Sequence, residues 1–374
     1  MRKIIFVLGM MFAFVAVQAQ SSSKVFDLVV GTYTQPGKST GMYVYSFNSE
    51  TGELKLKAES PAITNPSYLA ISKDHKHIYC VSEAGGEKAS VNAFTFDAAS
   101  GKMAFVNSAS TGGNGPCYVV VNAKNTLAFA GNYGGGSLAA IPINADGSLG
   151  DKPQFIQHSG NSVKPNQDKP HVHSTILSPD DRYLFVPDLG TDKVNIYQVS
   201  AGKDPILTPA AQPFASIPAG GGPRHFVFHP NGKTAYLLQE MTGIVSVFSY
   251  SNGSLKEQGT ASLPTAGAAG KIDAADIHVS PDGKFLYGSL RGDQNEIVVC
   301  SIDKTGALKV VGRQSSQGKT PRGFEIDPSG NFLIVGNQGS DTIVVFKRDQ
   351  KTGLLTPTDK GIPLGAPVCF KFVK

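Results

Sequence analysis

The chain is built from short runs in which apolar and polar residues alternate, separated by turns rich in glycine, proline and aspartate. Alternation with a period of two is typical of strands that bury one face. One unit recurs: an opening segment, an apolar run, a polar turn such as Pro-Asp-Gly, and two further apolar runs. Six units start 46 to 55 residues apart, at Pro66, Pro116, His171, Pro223, Ala275 and Pro321.

A period near 50 residues that contains several short strands predicts the blades of a β-propeller rather than a sandwich. In several units the third run ends in a turn that places glycine before a short closing run, as in residues 97–103 and 303–308. Glycine supplies the positive φ that such hairpins need. Each unit is therefore predicted to hold four strands.

Two incomplete units remain at the ends of the chain. Residues 27–60 have the later strands without a first strand, whereas residues 366–373 form a first strand with nothing after it. Together they make a seventh blade, and a blade shared between the termini closes the ring without an exposed sheet edge. We predict an all-β fold, a single seven-bladed β-propeller of four-stranded blades over residues 20–374. The absence of tryptophan excludes the WD-type repeat.

Residues 1–19 are predicted to be a signal peptide. Arg2 and Lys3 precede an apolar stretch, residues 4–17, that is too short for a comfortable membrane span, and Val17-Gln-Ala gives a small-x-small cleavage pattern. This predicts an exported protein, periplasmic or secreted, with no stable membrane insertion after cleavage. An uncleaved N-terminal anchor is the alternative.

Composition narrows the classes of partner. The net charge of +5 includes Arg2 and Lys3, and no cluster of lysine and arginine occurs, so no nucleic-acid partner is predicted.

The cysteines lie inside apolar runs without CxxC spacing, which favours four buried thiols, although export permits a disulfide. They are Cys80, Cys117, Cys300 and Cys369.

Propeller geometry predicts where chemistry can lie. The first strand of each blade lines the central channel and the second runs antiparallel to it, so residues that begin the first strand and residues that follow the second should meet at one mouth. The first group is His171, His173, Arg224, His225 and Arg322. The second group is Glu83, Asn132, Asp188, Glu240, Arg291 and Gln338, with Asp188 one residue off the common register. Arginines, carboxylates and histidines at one opening suit an anionic ligand, although ion pairs at a propeller rim are also ordinary.

Metal binding and nucleophilic catalysis have little support. His171 and His173 alternate and can both face a zinc ion, but no third ligand is evident nearby. No Gly-x-Ser-x-Gly elbow is present. No metal or other cofactor is predicted. His278, in the middle of a strand, is expected to be structural, and the other histidines are placed in turns or blade exteriors: His75, His77, His158 and His229.

Several long motifs occur in order along the chain. They include Gly31-Thr-Tyr-Thr, Val186-Pro-Asp-Leu-Gly-Thr-Asp, Gly222-Pro-Arg-His-Phe-Val-Phe-His-Pro, Leu286-Tyr-Gly-Ser-Leu-Arg and Pro321-Arg-Gly-Phe. With these motifs the chain resembles the lactonase seven-bladed propellers, which include bacterial propeller-type 6-phosphogluconolactonases and the fungal 3-carboxy-cis,cis-muconate lactonizing enzyme. The resemblance covers residues 28–372.

The resemblance implies a catalytic set of one histidine, two arginines and one glutamate. By motif these are His173, Arg224, Glu240 and Arg291, all of which the repeat geometry also places at the channel mouth. Six of the seven remaining mouth residues are assigned to substrate binding: His171, Asp188, His225, Arg322, Asn132 and Glu83.

The implied reaction is metal-independent hydrolysis of a sugar lactone, with a small anionic lactone or sugar acid as the partner. Either Glu240 or His173 takes a proton from water and the other donates one to the leaving alkoxide, while Arg224 and Arg291 offset negative charge. The alternatives are a muconate-type lactonizing cycloisomerase and a non-catalytic envelope propeller that binds a glycan or protein. Export conflicts with a phosphorylated substrate, because 6-phosphogluconolactone is made in the cytoplasm.

Overall fold

The computed structural model describes residues 24–265 and 270–373, so the predicted signal peptide lies outside the described residues. Within these ranges the chain forms seven antiparallel sheets and two single-turn 3-10 helices, Gly86–Lys88 and Pro165–Gln167. No helix in the described part of the chain is long and apolar enough to cross a bilayer.

Each sheet is one blade, and the blades are numbered here in ring order. Blade 1 contains β1 (Val25–Thr32), β2 (Tyr43–Asn48), β3 (Leu54–Glu59) and the C-terminal strand β29 (Pro367–Val373). Blade 2 contains β4 (Leu69–Ile71), β5 (His77–Ser82), β6 (Ser90–Asp97) and β7 (Lys102–Ser110). Blade 3 contains β8 (Pro116–Val121), β9 (Leu127–Asn132), β10 (Ser137–Pro142) and β11 (Gln154–Gln157). Blade 4 contains β12 (Ile176–Leu177), β13 (Tyr183–Asp188), β14 (Lys193–Val199) and β15 (Leu207–Ser216).

The last three blades follow the same order. Blade 5 contains β16 (Pro223–Phe228), β17 (Thr234–Gln239), β18 (Ile244–Ser251) and β19 (Ser254–Ser262). Blade 6 contains β20 (Ala274–Val279), β21 (Phe285–Leu290), β22 (Glu296–Ile302) and β23 (Leu308–Ser315). Blade 7 contains β24 (Pro321–Ile326), β25 (Phe332–Asn337), β26 (Thr342–Arg348) and β27 (Leu355–Pro357), with β28 (Ile362–Pro363) also paired to β26.

The blade shared between the termini is confirmed. β1 pairs with β2 on one side and with β29 on the other, so that Asp27 faces Val373 and Gly31 faces Cys369. Six innermost strands contact their neighbours around the channel in the order β16, β20, β24, β29, β4 and β8. The chain ends are thereby joined by backbone hydrogen bonds, and the ring is closed.

The apolar core lies between neighbouring blades. The second strands β9, β21 and β25 are buried along their whole length because both faces of each sheet are covered by the adjacent blades. Phe185 of blade 4 and Phe226 of blade 5, for example, stack with ring centroids 5.3 Å apart. The alternating runs therefore bury both faces of a blade, which leaves the ends of the channel free for polar side chains.

Three tyrosines on second strands each connect their own blade to the next one. The hydroxyl of Tyr79 donates to the Gly147 carbonyl at 2.9 Å, and that of Tyr236 donates to the Gly306 carbonyl at 3.0 Å. Tyr287 makes the same bond to Gly353 at 2.7 Å. Each acceptor glycine has positive φ and lies in the hairpin before the outer strand of the following blade. The repeat thus includes a polar contact between blades as well as an apolar one.

Replacing Tyr236 by phenylalanine is expected to lower the free energy of unfolding by about 1 kcal/mol. The substitution removes a buried hydrogen bond, and the Gly306 carbonyl loses the donor that the Tyr236 hydroxyl supplies. Urea unfolding followed by fluorescence measures the difference. Tyr183→Phe is the control, since its exposed hydroxyl reaches Asn252 Oδ1 only at 3.4 Å. Equal losses in the two variants would contradict the role of the buried bond.

Candidate active site

A cavity lies at the channel end where the second strands finish. Its lining includes Ser67, Cys117, His173, Arg224, His225 and Arg322. Tyr68, His225, Asp276 and Lys371 line both this cavity and a wider one bounded by turns at the opposite channel end. Tyr68 stacks on Tyr118 with ring centroids 3.8 Å apart. These side chains therefore form a partition across the channel, and the first cavity opens at one mouth.

Two arginines and one glutamate form the charged centre of this mouth. Arg224, only 1% exposed, donates from Nε to Glu240 Oε2 at 2.7 Å, and Arg291 Nη2 lies 3.3 Å from the same oxygen. Arg291 also donates to Asp273, and Arg224 donates from Nη1 to the Ala275 carbonyl. Burial, and next the charge of Arg291, lower the pKa of Arg224 to about 10. The guanidinium is still protonated at neutral pH.

His173 faces the same glutamate. Its Nε2 lies 3.8 Å from Glu240 Oε2, which is too long for a hydrogen bond, so the imidazole is not committed to the carboxylate. The Cys117 thiol donates to the His173 carbonyl at 3.3 Å. Burial, and next the charge of Arg224, hold the pKa of His173 well below its usual value. His173 is therefore neutral at physiological pH, and its Nε2 is not committed to a hydrogen bond with Glu240.

A buried chain of hydrogen-bonded side chains runs from Arg224 into the partition. Arg224 Nη1 lies 3.2 Å from His225 Nε2, and His225 Nδ1 lies 2.7 Å from Asp276 Oδ1. Burial, and next the charge of Arg224, lower the pKa of His225 to about 3, so the neutral ring donates from Nδ1 and accepts at Nε2. His278 Nε2 lies 3.1 Å from Asp276 Oδ2. Arg224 is thus positioned by side chains other than Glu240.

Tyr33 and Glu83 occupy another side of the mouth. The Tyr33 hydroxyl donates to Glu83 Oε2 at 2.7 Å, and Ser67 Oγ donates to the same oxygen at 2.5 Å. The Arg322 guanidinium lies over the Tyr33 ring, with Cζ 5.2 Å from its centroid.

Comparison with known proteins agrees with this architecture. The model of the family described as "Lactonase, 7-bladed beta-propeller" matches residues 27–372. The chain belongs to this family.

Two curated relatives carry the name 6-phosphogluconolactonase. The relative from Formosa agariphila is 37% identical over 336 residues, which are 88% of this chain and 94% of that protein. The relative from Bacillus subtilis is 33% identical, with 92% of this chain and 97% of that protein covered. The solved periplasmic gluconolactonase of Pseudomonas aeruginosa superposes with a TM-score of 0.90 at 36% identity, covering 94% of this chain and 99% of that one. The predicted membership of the lactonase propellers is confirmed.

Of the predicted site residues, the structure brings together the four assigned to catalysis. Arg224, Arg291 and His173 all lie within 3.8 Å of Glu240 Oε2. His225 and Arg322 line the cavity, and Glu83 is joined to it through Ser67.

Asn132 and Asp188 are fully buried and bonded away from the mouth, contrary to their predicted placement. Both are the last residue of a second strand, whereas Glu83, Glu240 and Arg291 directly follow the strand. Because successive side chains alternate between faces, one position turns the side chain away. Asn132 donates to the Thr111 carbonyl, and Asp188 accepts from His158 and two backbone amides. Their side chains stabilise neighbouring loops.

His171 is also turned away from the cavity. Its ring stacks on Tyr133 at 4.6 Å, and Nδ1 lies 2.9 Å from the Tyr133 carbonyl. Tyr133 directly follows β9, and its edge-to-face contact with His173 at 5.4 Å shows that it holds the mouth-facing position of blade 3. In residues 24–265 and 270–373 no group of three or more His, Cys, Asp or Glu side chains is arranged to hold a metal ion.

Several site residues were not found from the sequence. Tyr33 directly follows β1, as Glu83 follows β5 and Glu240 follows β17. The position of Tyr33 in the repeat could therefore have placed it at the mouth. No pattern in the sequence pointed to Asp273 or Cys117 as site residues. His158, placed in a turn or blade exterior, is instead buried and bonded to Asp188 and to the Tyr197 hydroxyl at 3.0 Å, so that prediction was wrong. His278 is partly buried between Asp276 and Glu325, which agrees with a structural role. All four cysteines are free and buried.

Proposed function

We propose that the protein hydrolyses a sugar lactone at this channel mouth. The observation that carries the proposal is a neutral, buried histidine beside a carboxylate that two arginines hold in place. A base, a charge partner for its protonated form, and cationic groups for an oxyanion are the elements that ester hydrolysis requires. The relatives named as lactonases support the same reaction class.

His173 is the better base of the two candidates. Glu240 Oε2 already accepts from Arg224 Nε and lies 3.3 Å from Arg291 Nη2, so this oxygen is occupied by two guanidinium groups. His173 Nε2 has no such commitment and takes a proton from water as the water oxygen bonds to the lactone carbonyl carbon. The carboxylate 3.8 Å away then stabilises the imidazolium. The same proton passes to the ring oxygen as the ring carbon–oxygen bond breaks.

The substrate is proposed to be an unphosphorylated aldonolactone. The mouth holds three arginines and three carboxylates, so its charges balance and leave no excess for a phosphate dianion. Arg224 and Arg291 are paired with Glu240 and Asp273. Arg322 is not paired directly, but the Tyr33 that supports it is bonded to Glu83. A neutral sugar lactone fits this balance. It also fits the predicted export, and we accordingly place the activity outside the cytoplasm.

The test is a lactone assay in ¹⁸O-labelled water. The wild-type protein should release acid from glucono-1,5-lactone above the spontaneous rate, with at least about tenfold lower kcat/KM for 6-phosphogluconolactone, as expected for about 1.4 kcal/mol of discrimination. Hydrolysis places one solvent oxygen in the product, whereas muconate-type cycloisomerisation places none. Acid release at only the spontaneous rate from both lactones would refute the proposal.

The pH profile should show a histidine that titrates unusually low. Since the pKa of His173 lies well below its ordinary value near 6.5, the base stays deprotonated as the pH falls and is lost only when the pH passes the lowered pKa. We expect kcat/KM for gluconolactone to hold between pH 6.5 and about 5.5. Initial rates between pH 4 and 7.5, corrected for spontaneous hydrolysis, measure it. An acid limb centred at 6.5 or above would contradict the assignment.

A further inference from the structure

The three arginines at the mouth differ in what they contact. Arg224 and Arg291 are each tied to a carboxylate and a backbone carbonyl. Arg322, by contrast, makes no hydrogen bond or ion pair with any residue in the described ranges, although it lines the cavity. Its guanidinium N–H groups are therefore all available to a ligand.

Arg322 is nevertheless held in place. The Tyr33 ring supports the guanidinium, whose Cζ lies 5.2 Å from the ring centroid, and a cation–π contact of this kind occupies no hydrogen-bond acceptor of Tyr33 or Glu83. The ring is itself fixed, because its hydroxyl donates to Glu83 at 2.7 Å and its backbone N–H donates to the Ala366 carbonyl at 3.1 Å. Ser67 completes the arrangement by donating to the same Glu83 oxygen at 2.5 Å. The result is a preorganised cation with unused donors.

We propose that Arg322 is the binding residue for the carboxylate that forms when the lactone ring opens. This rests on the proposed function, since the carboxylate is the product of that reaction. A guanidinium edge matches a carboxylate through two parallel hydrogen bonds. The neutral lactone offers Arg322 only a carbonyl, whereas the tetrahedral intermediate and the sugar acid carry the negative charge that Arg322 meets.

A monoanionic carboxylate is favoured over a phosphate dianion. Arg322 is one cation, and the charge of the Glu83 carboxylate, which accepts from the Tyr33 hydroxyl, already acts on it and opposes a second negative charge there. Arg224 and Arg291 keep their own carboxylates and add little net charge. The subsite is thus matched to an aldonate such as gluconate.

Isothermal titration of gluconate tests the proposal without turnover. Arg322→Gln should raise the gluconate Kd at least tenfold, whereas Arg182→Gln, the same charge change at an exposed arginine paired with Asp180, should leave it unchanged. Glucitol, the uncharged polyol of the same length, should bind wild type and Arg322→Gln equally. Tyr33→Leu should weaken gluconate binding and Tyr33→Phe should retain most of it, since only the leucine removes the aromatic support.

The outcomes separate the two proposals. Unfolding midpoints of each variant within 2 °C of wild type show that the fold is intact. Wild-type gluconate affinity in Arg322→Gln, or tighter Arg322-dependent binding of 6-phosphogluconate than of gluconate, overturns the carboxylate subsite even if the lactone is hydrolysed. Arg322-dependent gluconate binding by a protein that hydrolyses no lactone upholds the subsite and refutes only the proposed function.

Discussion

Replacing His173 by asparagine is expected to lower kcat for gluconolactone by about 10²–10⁴-fold, the usual contribution of a positioned general base. KM should change little, because the imidazole acts on water and not on the sugar. Asparagine keeps a polar group of similar size but cannot accept the proton. The rate is measured by titration of released acid at pH 6, where spontaneous hydrolysis is slow.

The matched control is His75→Asn. His75 lies with positive φ in the turn between β4 and β5, at the opposite channel end, and asparagine tolerates that conformation. This variant should keep the wild-type rate. If His173→Asn keeps it as well, the base is another group, and a loss confined to Glu240→Gln would assign that role to the carboxylate.

Asp276→Asn is expected to destabilise the fold by about 3–5 kcal/mol, the usual effect of removing one partner from a buried charged network. The Asp276 carboxylate is close to His225 Nδ1 and His278 Nε2, and it accepts from the Phe324 backbone N–H at 3.2 Å. It therefore joins β16 of blade 5, β20 of blade 6 and β24 of blade 7. Asparagine has one acceptor oxygen, and its amide would face a donor. Urea unfolding measures the loss.

The pH dependence of this loss has a defined sign. Burial raises the pKa of Asp276, but the charge of His278 and the hydrogen bond from His225 outweigh it and hold the pKa well below 3.8. The stabilisation that comes from this lowered pKa is complete above pH 3.8. It is lost as the pH falls through the pKa that Asp276 has in the folded protein. Burial lowers the pKa of His278, but Asp276 and Glu325 raise it above 6.5, so its share is lost as the pH rises through the folded pKa.

The difference in unfolding free energy between wild type and Asp276→Asn should accordingly be largest between about pH 4 and 6.5. Asp359→Asn is the control, since Asp359 is an exposed residue beside Lys360 and should show no such window. A difference that is equally large at pH 3 and pH 8 would show that packing, and not the charge network, accounts for the loss.

Most of the fold could be predicted because the repeated blades of a propeller give its sequence a regular period. Each blade must present apolar residues to both neighbours, so strand spacing and turn residues repeat, and the two half-units at the termini complement each other. The first-strand starts at Pro116, Pro223 and Pro321 coincide with the observed strands. In blade 4 the prediction is less exact, since β12 is reduced to Ile176–Leu177 and His171 lies outside it.

The convergence of His173, Arg224, Glu240 and Arg291 could be predicted as well, because antiparallel strands return side chains to the same end of the channel. A shift of one residue limited this reasoning. Asn132 and Asp188 are the last residues of their strands, and the pattern of apolar residues does not show to one position where a strand ends.

The sequence by itself determined the seven blades, the closure between residues 27–60 and 366–373, and the mouth at which polar residues gather, because these follow from a periodic need to bury apolar strand faces. Only the tertiary structure decided the state of each group. His173 is neutral because of burial beside Arg224, and Arg322 is free because Tyr33, far away in the chain, supports it without taking its donors. Such properties depend on distances between blades, which no local pattern encodes.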